Sequence, residues 1–139
     1  VFFGDHKPWM GNGSSVYTEI GVDLDVSTQE GFYNYYATPY VIFANSAAKE
    51  VLGGDFTGDG GDFSPCFLMA KVFDECGWEG SGFMQLQREM RAVSPLMSES
   101  GWRMSDGQIV ASLEGAAEDE NDRYLRAQYY IETHFDGES

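Results

Sequence analysis

The sequence predicts an α/β fold, and three observations carry that expectation. Two continuous apolar runs, VFFG at 1–4 and YVIFAN at 40–45, read as buried strands. Ser64-Pro65 opens a strongly amphipathic stretch, as a capped helix start does. Glycine-rich stretches, GNGSS at 11–15 and GGDFTGDGGDF at 53–63, punctuate the chain between these elements. Beyond residue 76 the pattern changes to helix, hairpin, helix. The expected organisation is an α/β layer over residues 1–76 and an appended helix-hairpin-helix region over 77–139.

VFFG is short and uninterrupted, which fits an interior strand of a parallel sheet. Pro8 stops regular structure. Residues 16–26, VYTEIGVDLDV, alternate in part and predict a short strand or an extended segment. YVIFAN follows Pro39, is β-branched and aromatic, and ends at Asn45-Ser46. After the loop at 53–63, Ser64 suits an N-cap and Pro65 the first helical position. Phe67, Leu68, Val72, Phe73 and Cys76 then share one face, and Gly77 suits the residue just past the helix end. A second helix is expected over 82–93, with Phe83, Leu86, Met90 and Val93 on one stripe and Pro95 beyond it. WRMSDGQIVASL at 102–113 reads as a hairpin with Asp106-Gly107 as a type I′ pair. The last helix is expected over 118–132, with acids in its first turn that suit the positive helix end. FDGES at 135–139 is expected to fray.

A hydrophobic content of 42% and an aromatic content of 15% exclude a disordered segment. The 139 residues are enough for one domain of ordinary size. The formal net charge of -15 argues against a nucleic-acid partner and against adsorption to an anionic membrane surface. It leaves room for an anionic ester substrate, because a bound cation can supply the missing positive charge. Cys66 and Cys76 fall on one expected helix, about 15 Å apart along its axis, so they read as free thiols and not as a disulfide. No stretch approaches the ~20 apolar residues that span a bilayer. The abrupt start inside an apolar strand leads us to expect a piece of a longer protein. If so, strand 1–4 and the face of helix 65–76 lack natural neighbours, and self-association through them is expected.

Asp5 and His6 follow the first strand directly. Ligands of open α/β sheets bind outside the carboxyl ends of the strands. A carboxylate oxygen and an imidazole nitrogen are both good ligands for Zn, Mn and similar ions. The plainer reading makes Asp5 a turn residue and His6 a surface residue. Lys7 offers an ammonium to an anion, and Trp9 an indole donor with a flat apolar face. In the plainer reading these are a solvated lysine and a tryptophan packed on its loop. A rival cation site is DFTGDGGDFSPC at 55–66, which opens like an EF-hand loop with Asp55, Thr57, Asp59 and Gly60. It then departs, with Asp62 where a hydrophobic anchor belongs and Cys66 in place of the bidentate Glu. His134 and the acids at 118–122 read as solvated helix residues.

VFFGDH followed by KPWMG, with YYATPYVIFAN at 35–45, resembles the lipoteichoic-acid-synthase-like sulfatases of the alkaline-phosphatase-like superfamily. Members have a hydrophobic strand, Gly-Asp-His and a loop, then Tyr-x-Thr-Pro, an apolar run and Asn some thirty residues later. The resemblance covers roughly residues 1–76. It implies the C-terminal part of an alkaline-phosphatase-like catalytic domain in a membrane-anchored enzyme with an extracellular active site. Asp5 and His6 would be ligands of one divalent cation, commonly manganese. The nucleophile and remaining ligands would lie upstream of this chain, so the chain alone would bind metal weakly and catalyse little. Lys7 and Trp9 become candidate substrate contacts. Members that transfer glycerol phosphate carry a Ser where this chain has Met10, which counts against that specific activity. The expected function is therefore part of a metal-dependent sulfatase or phosphotransferase-like enzyme acting on phosphoesters or sulfoesters. The alternative is a small acidic module that binds a protein partner and performs no chemistry.

Overall fold

The computed structural model describes residues 1–98 and 101–134. It is a mixed structure of helices and two small antiparallel sheets, which agrees with an α/β class only at that coarse level. The chain divides into two compact units, Val1–Ala48 and Lys49–Ser139. Position 76, where the sequence pattern changes, lies inside the second unit.

In the first unit, β1 (Phe2–Phe3) pairs antiparallel with β2 (Tyr40–Val41), Phe2 opposite Val41 and Phe3 opposite Tyr40. This corrects the expectation of an interior parallel strand. The strand is two residues long and Phe2 is 82% exposed. Continuous hydrophobicity does not choose a strand's partner. Here the partner is set by bonds around Gly4, whose N–H donates to Pro39 O at 3.0 Å while its carbonyl accepts from Thr38 Oγ1 at 2.7 Å. Pro39 has no N–H with which to carry the ladder further.

The expectation of a short strand or extended segment over 16–26 is corrected in part: residues 16–19 are helical, 20–21 form a turn, and 22–25 belong to no regular element. A 3₁₀ turn at Asn12–Ser14 leads into α1 (Ser15–Glu19), which closes when Gly21 and Val22 donate to Thr18 O and Tyr17 O. α2 (Gln29–Tyr36) follows and was not foreseen. Thr28 caps it by accepting from Gly31 N at 2.9 Å, and Asp25 accepts from the Ser27 amide and hydroxyl. Gly31 is buried against the Asp25 backbone, and a Cβ there would lie 2.1 Å from Asp25 O, so the position requires glycine. α2 ends before Thr38, which the following proline holds out of helical conformation. The strand expected over 40–45 shrinks to Tyr40–Val41, residues 42–45 have no regular structure, and Asn45 serves the next helix instead. Its Oδ1 accepts from Ala48 N at 2.9 Å and so caps α3 (Ser46–Leu52), a second unforeseen helix.

In the second unit, a loop leads to a 3₁₀ turn at Pro65–Phe67 and then α4 (Leu68–Glu75). Trp78 N donates to Phe73 O and Gly77 N to Asp74 O, the two bonds of a Schellman end, as Gly77 predicted. α5 (Gly82–Val93) matches its expected range and is capped by Ser81, whose Oγ accepts from Met84 N. A three-stranded antiparallel sheet follows in the order β3 (Leu96–Ser98), β4 (Gly101–Arg103), β5 (Ile109–Val110). α6 (Ala116–His134) closes the unit. The expected fraying at 135–139 lies outside the described residues.

The core of this unit is Phe67, Met90, Leu113 and Tyr124, with Phe63, Phe83, Met97 and Trp102 packed on it. Phe83 stacks on Tyr124 with ring centroids 5.6 Å apart. Ser64 differs from its expected capping role. Its hydroxyl is taken by the edge of β3, accepting from Met97 N at 2.8 Å, while its own N–H donates to Pro95 O. The β4–β5 turn also differs. Met104 N bonds Gln108 O and Gly107 N bonds Met104 O, giving a three-residue loop with Gly107 at φ 86. Type I′ needs positive φ at two central residues, and Asp106 is not among the residues that have it.

One carboxylate joins α4 to α5. Asp74 accepts from Arg88 Nε and from Arg91 Nη2, and Arg88 Nη2 also donates to Trp78 O at 2.7 Å. Burial alone would push the Asp74 carboxyl up, but the hydrogen bonds and charges of Arg91 and Arg88 hold it below its ordinary 3.8. A carboxyl held low in the folded state stabilises the fold fully above its unfolded value and loses that contribution as pH falls through its folded value. We expect Asp74→Asn to lower stability by about 2 kcal/mol near neutrality. The gap between wild type and variant melting temperatures should close on acidification below the ordinary carboxylate range. Ser64→Ala should cost about 1 kcal/mol in chemical denaturation, because it leaves partly buried edge groups of β3 without their Ser64 partner.

Candidate metal-ligand pair and its loop

The candidate site is built from the bend that follows β1. The Thr38 hydroxyl holds the Gly4 carbonyl, so the chain turns at residues 5 and 6. The turn brings the two predicted ligands together: Asp5 Oδ1 lies 3.7 Å from His6 Nε2. Both side chains are open to solvent, at 82% and 76% exposure. The other ring nitrogen, Nδ1, lies 3.0 Å from Lys7 O. A carbonyl can only accept, so this bond puts a proton on Nδ1 and leaves Nε2 of the neutral ring with its lone pair. Metal-binding histidines are commonly oriented in this way, with the non-ligating nitrogen donating to a backbone carbonyl.

The pair fits a cation in donor type and spacing. Two atoms 3.7 Å apart can both reach an ion at bond lengths of about 2.1 Å. The set is incomplete, however. Among the described residues no group of three or more His, Cys, Asp or Glu side chains gathers in a way that could hold a metal ion. Among the described residues the bend after β1 therefore offers two donors, Asp5 and His6.

Lys7 and Trp9, the predicted substrate contacts, take different positions. Lys7 is half-buried, and its Nζ donates to Ala37 O at 2.5 Å, tying the loop to the segment before β2. An ammonium has three donors, so this bond leaves others for an anion. Trp9 is 72% exposed. Between them, Pro8 O accepts from the Tyr17 hydroxyl at 2.9 Å, so α1 anchors the loop that carries all four residues.

In the rival loop two of the acids have other partners. Asp59 Oδ1 accepts from Gly61 N, and Asp62 faces Arg103 at 3.7 Å. His134 stacks on Tyr130 in the last turn of α6, with centroids 4.3 Å apart. A cluster that sequence reasoning missed joins Cys66, Gln87 and Tyr124. Gln87 Nε2 donates to Cys66 O at 2.7 Å, and burial and the neighbouring Cys66 push the Tyr124 phenol up to about 12. Cys66 is exposed as a residue, but partial desolvation of its thiol beside Tyr124 pushes that thiol up as well. Both groups stay protonated near neutrality, so the cluster acts as packing and hydrogen bonding. No sequence signal marks it, since Tyr124 looks like any other residue of an amphipathic stripe.

Among the described residues no helix is long and apolar enough to cross a membrane. Comparison with known proteins gives no match: no family model, no curated protein and no solved structure aligns with this chain.

Titration of the chain with Mn²⁺, followed by paramagnetic broadening in NMR spectra, should bleach the resonances of residues 4–7 first. His6→Ala should remove that preference. Uniform broadening over the many surface acids would show that the pair has no special affinity.

Proposed function

We propose that this chain is part of a metal-dependent enzyme that cleaves or transfers phosphoester or sulfoester groups. In this reading it is the C-terminal part of a lipoteichoic-acid-synthase-like sulfatase. The observation that carries the reading is the convergence of Asp5 and His6 in the first turn after β1, within the Gly-Asp-His stretch that carries the resemblance. Asp5 Oδ1 and His6 Nε2 hold one divalent cation, Mn²⁺ in this reading, and the Lys7 carbonyl fixes the histidine tautomer. When bound, the cation neutralises charge on the transferring group. Lys7 and Trp9 contact the anionic ester through the ammonium and the indole. The nucleophile and remaining ligands belong to parts of the enzyme outside this sequence, the parent is anchored in the cell membrane with its catalytic domain outside, and the chain by itself is inactive. Taken alone, it self-associates through the strand at 1–4, where Phe2 and Phe3 are exposed; the face of helix 65–76, expected to be open as well, is instead filled, with Phe67 and Ala70 fully buried.

A second reading, a non-catalytic acidic module that binds a protein partner, is favoured by the net charge of -15 and by exposed Leu125, Tyr129 and Tyr130 on α6.

The complete gene product should hydrolyse or transfer phosphodiester or sulfate-ester substrates with added divalent cation. Asp5→Asn and His6→Ala should each lower kcat/KM by at least ~100-fold, since even groups that merely orient a ligand cost 10–100-fold. Lys7→Met should act mainly on KM. Ester turnover that survives both ligand substitutions would overturn the enzymatic reading of this site. Absence of turnover with every divalent cation would leave the second reading as the better one.

A further inference from the structure

We infer that Asn12-Gly13 is a self-modifying site, at which Asn12 converts to aspartate and isoaspartate through a cyclic imide. The inference is independent of the proposed enzymatic role. The chain has four asparagines, at 12, 34, 45 and 121, and Asn12 alone precedes a glycine. The structure separates them further. Asn34 lies within α2 and Asn121 within α6, where the backbone is held by helical hydrogen bonds. The Asn45 side chain is occupied as the cap of α3. Asn12 is exposed in a short turn, and no hydrogen bond of its side-chain amide is found among the described residues.

The nucleophile is the Gly13 backbone nitrogen. It sits in the first turn of a 3₁₀ segment, where an N–H has no carbonyl to bond within the helix. Apart from its chain neighbours and the backbone of its own turn, nothing lies within 4 Å of where a Cβ would project from Gly13, so no side chain from elsewhere in the fold crowds that side. The glycines at 11 and 13 take φ of 78 and 62 at no steric cost, and beside them the non-glycine Ser14 is held at φ 62. Asn12 must rotate to bring its Cγ onto that nitrogen. One of the bonds that hold the turn runs from Ser15 N–H to Asn12 O, a restraint of about 1 kcal/mol.

In the reaction, water or hydroxide takes the Gly13 amide proton. The nitrogen then attacks Asn12 Cγ, the new C–N bond closes a five-membered imide, and the Cγ–Nδ2 bond breaks with release of ammonia. Water opens the imide at either carbonyl, leaving aspartate or, with one more methylene in the backbone, isoaspartate. No oxidation state changes and no cofactor is consumed. The product adds one negative charge to the loop that also carries Asp5, His6, Lys7 and Trp9.

The test follows the 139-residue chain in neutral buffer at physiological temperature over days, by peptide mass spectrometry and isoaspartate methylation. Asn12 should gain about one mass unit at least an order of magnitude faster than Asn34, Asn45 or Asn121, with isoaspartate in excess and a rate that rises with alkalinity. The native rate should lie within a few-fold of the rate in the urea-unfolded chain. Asn12→Gln should abolish the isoaspartate of the peptide that contains position 12, leaving any from the Asp-Gly pairs elsewhere, without changing the melting temperature. A native Asn12 that reacts an order of magnitude more slowly than in the unfolded chain, or no faster than Asn45, would overturn the inference.

Discussion

The second unit depends on a single carboxylate shared by two guanidinium groups. α4 and α5 are consecutive helices joined by a tight glycine turn, and Asp74 binds Arg88 and Arg91 across their interface. Arg88 reaches further, to the Trp78 carbonyl of the connecting turn. The cluster thus fixes both the angle of the helices and the path of the chain between them. With α5 so placed, Met90 meets Phe67 and Tyr124, and the apolar core can close. Arg91 also lies over the Phe63 ring, 5.9 Å from its centroid, which couples the charged cluster to the apolar one.

A second set of polar contacts attaches the sheet to the helices. Ser94, fully buried at the end of α5, places its hydroxyl 3.0 Å from both Leu96 O and Arg103 O. Buried hydroxyls are costly unless bonded, so they specify one arrangement more sharply than apolar packing does. Ser64 does the same from the other side of β3. The first unit is organised differently. Its contacts are mainly local, such as the Asp25, Ser27 and Thr28 bonds that start α2, and its two-stranded ribbon leaves Phe2 and Phe43 largely in solvent.

What could be read from the sequence follows that difference. α4 and α5 carry apolar stripes, and Gly77 announces a helix end, so both helices were legible with nearly correct bounds. α1, α2 and α3 are short and lack a long apolar period. Thr28 and Asn45 fix the last two by side-chain bonds to the backbone, which resemble loop chemistry when read along the chain. Ser64 was legible as a polar residue before a proline, but the competitor for its hydroxyl, Met97, lies 33 residues away. The Asp5-His6 dipeptide was legible as a candidate pair, whereas its convergence was not. That convergence follows the bend held by Thr38, and the tether of Lys7 to Ala37 is equally non-local.

The serine on β3 has a consequence for how this molecule meets others. The outward-facing amide of Met97 and carbonyl of Pro95, which could otherwise template a foreign strand, are already engaged by Ser64. One rim of the three-stranded sheet is thereby sealed by a single hydroxymethyl group and its own backbone. Growth by strand addition is confined to the opposite rim, at β5, where only two residues are available to recruit a neighbour.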